Sequence, residues 1–216
     1  TIYRDIDALS AAGAPVYAVP GNHDRRDRMR ELLGNWCPAD ASVAPYLCYA
    51  VEDGPVRLVM LDTMQPGSHS GHCPEAVAGW LERTLAARPG VPTLLFMHHP
   101  PFVTGMGAMD EPFENVGRLA DILRRSPWVR LCCGHMHRPI VTQWAGCIAL
   151  PSPAVSMQID LDLSPEGGDT FRMETPGYLL HHWDGSVLNS HICQIPCSPT
   201  FSGPHPFVGS VNPVEG

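Results

Sequence analysis

No apolar stretch in the 216-residue chain approaches the roughly 18 residues that would suggest a membrane span. No run of Lys or Arg occurs, and the formal charge is −8, so the electrostatic footprint of a protein that grips a nucleic-acid backbone is missing. The eight cysteines, at 37, 48, 73, 132, 133, 147, 193 and 197, form no CxxC…CxxC pattern of the zinc-ribbon kind. The opening residues, TIYRDIDALSAAGAP, carry no charged-then-apolar signal segment. These absences set the expectation of a cytoplasmic protein with a small-molecule partner, no nucleic acid and no membrane span.

What is present fits one domain with a sizeable core. The chain is too short for two ordinary domains, and 44% hydrophobic with 17% charged residues is usual for a globular protein. Twenty Gly and 23 Pro favour many loops over a helical bundle. Cys132 and Cys133 lie in an apolar run, where at least one should be a packed thiol. Cys193 and Cys197 could close a disulfide or stay free.

Along the chain, α/β alternation gives way to strands. Helical spacing covers about 2–12, a short apolar strand 16–19, and a polar helix 24–33. YLCYAVE and RLVMLDT, separated by DGPV, read as a hairpin. CPEAVAGWLERTLAA is an amphipathic helix with Val77, Trp80, Leu81, Thr84 and Leu85 on one side. PTLLFM is a buried strand, NVGRLADILRRS a helix with Leu119, Ile122 and Leu123 inward, and WVRLCC another buried strand. GCIALPS, GYLLHHW and SVLNSHICQI are later strands, DLDLSPEGGDTFRMETP an exposed, mobile insertion, and 196–216 an extended arm. The domain therefore spans 1–195.

Three buried strands end in groups that bind metal or move protons. VYAVPGNHD stops at Asn22 and His23, LLFMHHPPF at His98 and His99, and LCCGHMHRP at His135 and His137. Ligands gather at the carboxyl edge of open α/β sheets. An extended backbone would point His135 and His137 the same way, with Gly134 relaxing the turn before them. His99 reads as a residue behind the ligands or a packing residue, Trp36, Trp80 and Trp128 as packing, and His181, His182 and His191 as structural. Asn oxygen and imidazole nitrogen without thiolate favour Mn, Fe, Co or Zn. Two such ions roughly 3.5–4 Å apart can clamp a phosphate ester, and a histidine beside a ligand can hand on a proton.

GNHD at 21–24, HHPP at 98–101 and GHMH at 134–137, in that order and separation, resemble the calcineurin-like metallophosphoesterase family. The likeness runs to about residue 195. LDTMQPGSHSG and TGMGAMDEPFENVGRLADIL are more narrowly similar to bacterial glycerophosphodiesterases and class III cyclic-nucleotide phosphodiesterases. The resemblance implies an α/β fold of two stacked sheets flanked by helices (α-β-β-α), two divalent metal ions, and in-line attack on a small phosphodiester by a metal-bridging hydroxide. It implies Asn22, His98 and His135 as ligands of the second metal, His137 as a ligand of the first, and His23 as the catalytic histidine beside the substrate phosphate. His69 and His72 fall at the expected rim, and His72 joins His23 as a substrate-binding candidate. TGMGAMDEPFEN would help form the substrate pocket or a subunit contact, in keeping with a homo-oligomer. Asp62 could be an acid behind the ligands or a turn cap.

The family's early Asp-x-His and Gly-Asp motifs have no counterpart here. Asp5 and Asp7 sit in a helical pattern without that context. The expectation is a chain that lacks the first two strands, holds at most one ion weakly, tends to self-associate and is of doubtful activity alone. Activity on phosphomonoesters or nucleic-acid ends, or service as a catalytically dead binding scaffold, are the alternatives.

Overall fold

Period-two alternation in short apolar runs builds the sheet at the centre of the molecule, and a computed structural model describes it for residues 8–164, 167–168 and 170–196. The strands are β1 (Tyr49–Val51), β2 (Arg57–Leu61), β4 (Thr93–Met97), β6 (Val129–Cys133), β7 (Thr142–Trp144) and β8 (Cys147–Pro151), in the order β1-β2-β4-β6-β8-β7. β2, β4, β6 and β8 run parallel, while β1 and β7 close the edges antiparallel. Val59, Leu61, Leu95, Met97, Leu131 and Cys133 face one way, into the main core. Leu58, Met60 and Phe96 alternate to the other face.

Helices α2 (Glu75–Ala87) and α3 (Val116–Arg124) cover the first face. Val77, Trp80, Leu81 and Leu85 of α2, with Leu119, Ile122 and Leu123 of α3, form the predicted apolar stripes and are buried. Each such side chain contributes about 1.5–3 kcal/mol by leaving water. The other face carries a second, smaller sheet layer, the hairpin of β11 (Gly177–Trp183) and β12 (Leu188–Gln194). His181 on β11 sits edge-on to Phe96 at 6.3 Å and 3.6 Å from the Cys132 thiol, while Arg130 donates to Ser190 at 2.6 Å.

Several expectations need correction. Residues 16–19 form no strand, since no described neighbour supplies a ladder. The segment is held instead by the Ala18 N–H donating to the Trp36 carbonyl at 2.7 Å and by the Tyr49 hydroxyl donating to the Ala18 carbonyl at 2.6 Å. The polar helix α1 starts later than predicted, at Arg26–Leu33, because a turn occupies 21–24: the Asp24 carboxylate accepts the Gly21 N–H at 2.8 Å. The described residues around 160–176 are largely exposed, yet β10 (Phe171–Arg172) within this stretch pairs with β9 (Gln158–Ile159) just before it. His182 and His191, expected to be structural, are exposed on the hairpin's outer face. The 2–7 part of the first predicted helix, the 197–216 arm and Cys197 lie outside the described residues.

Cys132 and Cys133 are both buried, and burial pushes the Cys132 thiol up to about 12. No helix among the described residues is long and apolar enough to cross a membrane.

Candidate metal and phosphate site

The parallel register lines up the strand ends. Leu61, Met97 and Cys133 are matched across β2, β4 and β6, so Asp62, His98 and Gly134 leave the sheet side by side. The Gly134 N–H donates to the His98 carbonyl at 3.0 Å and fixes the β6 exit against the β4 exit. Gly21 closes the third side of this berth. A Cβ there would stand 2.9 Å from His98 Cε1, so only glycine lets the 21–24 turn reach the ring.

This convergence brings together three of the predicted ligands from distant segments. His98 Nε2 lies 2.8 Å from Asn22 Oδ1 and 3.3 Å from His135 Nδ1. The Asn22 amide nitrogen donates to His69 Nδ1 at 2.7 Å, which turns its oxygen toward His98. His23 stacks edge-on to His69 at 5.3 Å between centroids, and both side chains sit at the rim. The structure thus groups Asn22, His98 and His135, with His23 and His69 beside them.

Of the two readings of His99, the place behind the ligands fits its position beside His98 and His135. Its ring centroid is 4.8 Å from that of His98 and 5.1 Å from that of His135, and His98, His99 and His135 offer nitrogens all within 4.8 Å of one another. Thr63 Oγ1 lies 2.9 Å from His99 Nδ1. Glu111, within the TGMGAMDEPFEN stretch expected near the substrate pocket but not itself singled out, brings a carboxylate oxygen to 3.6 Å from His135 Nε2. The signal that could have found it is weak: an acid in the loop that follows HHPP.

His135 and His137 do not lie on extended backbone. Both adopt left-handed φ, 65° and 50°, so the strain expected of Gly134 falls on the histidines. Each such residue costs on the order of 1 kcal/mol, the kind of strain that concentrates at functional sites. The two rings consequently diverge: His135 enters the cluster, while His137 Nδ1 meets the Met157 thioether at 3.3 Å.

His72 is also turned away. β3 (Gly71–His72) pairs with β5 (Phe113–Glu114), and alternation along this short ladder points Gly71 at His99 and Phe113. His72 therefore falls on the opposite side, 6.2 Å from the Tyr46 ring, and lines neither of the cavities beside Asn22 and His135.

Asp62 resolves into the anchor of the site. Fully buried, it accepts a bidentate pair from Arg26 at 2.6 and 2.9 Å and the N–H groups of Leu47 and Met64 at 2.9 and 3.0 Å. The Arg26 guanidinium also lies 4.9 Å over the Tyr46 ring. Arg26 begins α1, two residues beyond the 21–24 turn, so this ion pair ties the Asn22–His23 turn to the end of β2.

Electrostatics suit a cation-binding cluster. Burial, then neighbouring imidazoles, lower His98 and His99 to about 3 and His135 to about 4. The three rings are neutral near pH 7 and keep lone pairs for a metal. His99 Nε2, His135 Nε2 and Glu111 Oε2 are buried with no hydrogen-bond partner. Neutral imidazoles with orphaned buried atoms are the donor set a borderline divalent ion takes.

The same shifts fix a stability profile for metal-stripped protein. The unfolded histidines titrate near 6.5 and the folded ones near 3 to 4, so below 6.5 the unfolded state binds more protons. Stability should be full above pH 6.5 and fall as the pH drops toward the folded values. The slope is about 1.4 kcal/mol per pH unit for each histidine titrating only when unfolded. Urea midpoints at pH 7.5, 6.5 and 5.5 read this directly, and a flat profile would contradict it.

A mostly parallel sheet between helices and a second strand layer, with Asn and His side chains gathered at its carboxyl edge, defines a layered α/β protein with a candidate divalent-metal site. The chain belongs to the calcineurin-like phosphoesterase family, whose sequence pattern it matches over residues 2–139. It is 35% identical over 205 residues to the "Probable glycerophosphodiester phosphodiesterase GpdQ" of Arcobacter nitrofigilis, covering 93% of this chain and 73% of that one. It is 31% identical to the 3',5'-cyclic adenosine monophosphate phosphodiesterase CpdA of Escherichia coli K12, over 84% of this chain and 64% of that one. A cAMP/cGMP dual specificity phosphodiesterase of Mycobacterium tuberculosis is 30% identical, over 83% of this chain and 56% of its own length. The chain thus spans between 56% and 73% of the length of these relatives.

Proposed function

We propose that the protein hydrolyses small phosphodiesters, glycerophosphodiesters or cyclic nucleotides, with divalent metal held at the Asn22–His98–His135 edge. The observation that carries this reading is the meeting of Asn22 and His98, 76 positions apart, at 2.8 Å beside His135. The names of the relatives support the diester class.

In this reading Asn22 Oδ1, His98 Nε2 and a His135 nitrogen are the metal donors. A divalent ion bound there supplies Lewis-acid polarisation of the phosphate; Mn, Fe, Co and Zn suit the donors. His69, by accepting from the Asn22 amide, keeps the oxygen of Asn22 turned inward. His23, beside His69 at the rim, would give a proton to the departing alkoxide. His137 would serve a first metal through the nitrogen that does not face Met157, and His72 would reach substrate only after turning from Tyr46. A homo-oligomer and a cytoplasmic setting complete the reading.

The test is turnover of bis(p-nitrophenyl) phosphate, a glycerophosphodiester and 3',5'-cyclic AMP with added Mn²⁺ or Co²⁺. Diester turnover, abolished by chelator and restored by metal, is expected. Metal-dependent cleavage of p-nitrophenyl phosphate with no diester turnover would favour a phosphomonoesterase, and no turnover of any ester would favour a binding scaffold.

A further inference from the structure

We propose that Glu111 is a positioning residue for His135: its carboxylate accepts the hydrogen on His135 Nε2 and so presents the Nδ1 lone pair to the metal. This rests on the Asn22–His98–His135 metal edge proposed above and adds the group that orients its third donor.

Hydrogen placement follows from the donors and acceptors themselves. The Asn22 amide nitrogen donates to His69 Nδ1 at 2.7 Å, so the Asn22 atom that meets His98 is the carbonyl oxygen. A carbonyl oxygen only accepts, and the hydrogen in this 2.8 Å contact therefore sits on His98 Nε2. His135 Nδ1, 3.3 Å from the same nitrogen, faces it with a lone pair. A neutral imidazole carries one hydrogen, which leaves that of His135 on Nε2. The lone pairs of Asn22 Oδ1 and His135 Nδ1 thus meet at one proton, and a cation can take its place once His98 carries its hydrogen on Nδ1.

On its other side His135 is unfinished. Nε2 is buried without a hydrogen-bond partner, on a residue only 9% exposed. Glu111 Oε2 is likewise buried without a partner, 3.6 Å away. A donor and an acceptor-only oxygen, each unfavourable while unpaired, face each other across a gap about 0.6 Å longer than an ordinary hydrogen bond. Metal at Nδ1 polarises the ring and makes Nε2–H a stronger donor, which draws the carboxylate in. Carboxylates behind ligating histidines fix the ring orientation and raise the basicity of the ligand nitrogen in this way.

The loop holds Glu111 at this place. The Asp110 carboxylate accepts the N–H groups of Thr104 and Gly105, both at 2.7 Å, and the Thr104 hydroxyl at 2.8 Å. Two residues beyond Glu111, Phe113 enters the β5 ladder opposite Gly71. The chain is pinned on both sides of the carboxylate. The hollow that Glu111 and His135 line is about 10 Å³, room for a small movement or one water and for no other side chain.

The experiment is calorimetric Co²⁺ titration of the full chain, with thermal midpoints of the metal-free proteins, for the parent, Glu111→Ala, Glu111→Gln and Asn22→Ala. The Glu111 side chain is 30% exposed, so its truncation should leave the metal-free midpoint close to that of the parent. Glu111→Ala is expected to weaken Co²⁺ about 10- to 100-fold. Glu111→Gln, which keeps an acceptor oxygen, should recover most of that loss, and Asn22→Ala should weaken binding at least as much as Glu111→Ala. Parent-like affinity in Glu111→Ala with weakened binding in Asn22→Ala would overturn the role of Glu111 and leave the metal edge standing. A loss in Glu111→Ala that comes with a lower midpoint and is not relieved in Glu111→Gln would also overturn it, as a structural effect. A parent chain that binds no Co²⁺ would overturn the metal edge and this proposal with it.

Discussion

Replacing His98 by Ala is expected to lower diester turnover about 100-fold or more, the equivalent of losing several kcal/mol of charge stabilisation. His98 is the hinge of the Asn22–His98–His135 contact, reaching both neighbours through one nitrogen. Its ring also fills the space under Gly21, so Ala opens a gap that no neighbour spans. The thermal midpoint of the variant separates lost chemistry from lost fold. His182→Ala, on the exposed face of the hairpin, is the control and should turn over as the parent does. Retained turnover in His98→Ala would remove the metal-donor role from this residue.

Asp62→Ala should be the most damaging single substitution for stability, by about 3–5 kcal/mol. It strands the Arg26 guanidinium, whose side chain is only 12% exposed, and orphans the N–H groups of Leu47 and Met64. Replacing both members, Arg26→Met with Asp62→Leu, should cost much less than Asp62→Ala, since the charge is then not left alone. Denaturant unfolding of the three variants measures the difference. A loss below 1 kcal/mol in Asp62→Ala would show that water reaches Arg26 and relieves it. Activity should fall with stability, because the Asn22–His23 turn hangs on this pair.

Much of this architecture could be read from local signals. The apolar runs ending at Met97 and Cys133, and the helical stripes of Trp80–Leu81 and Leu119–Ile122–Leu123, are set within a few residues of chain. Once β4 and β6 are taken as parallel neighbours, His98 and His135 must emerge together. What escaped notice depends on longer-range geometry. A two-residue ladder, β3 with β5, decides that His72 faces Tyr46 and that Gly71 faces His99; no periodicity shows in two residues. The left-handed φ of His135 and His137 has no clear composition signal, because only a few per cent of non-glycine residues adopt it, even though histidine is among those enriched there. The sequence places His69 at the rim and the stretch of Glu111 near the pocket, but their contacts with Asn22 and His135 depend on loops whose course is set by packing. The segment 16–19 had the composition of a strand, but a strand also needs a partner.

The Asn22–His98 and His98–His135 contacts join positions 76 and 37 residues apart. Closing such loops is an entropic cost met before the contacts reward it, so this constellation cannot be nucleated locally. Its members come into register only after β4 and β6 have paired and α1 has docked on Asp62. Helix content can return early in refolding, through α2 and α3, while the site is still unformed. During synthesis the chain remains without it until the ribosome has released residue 135.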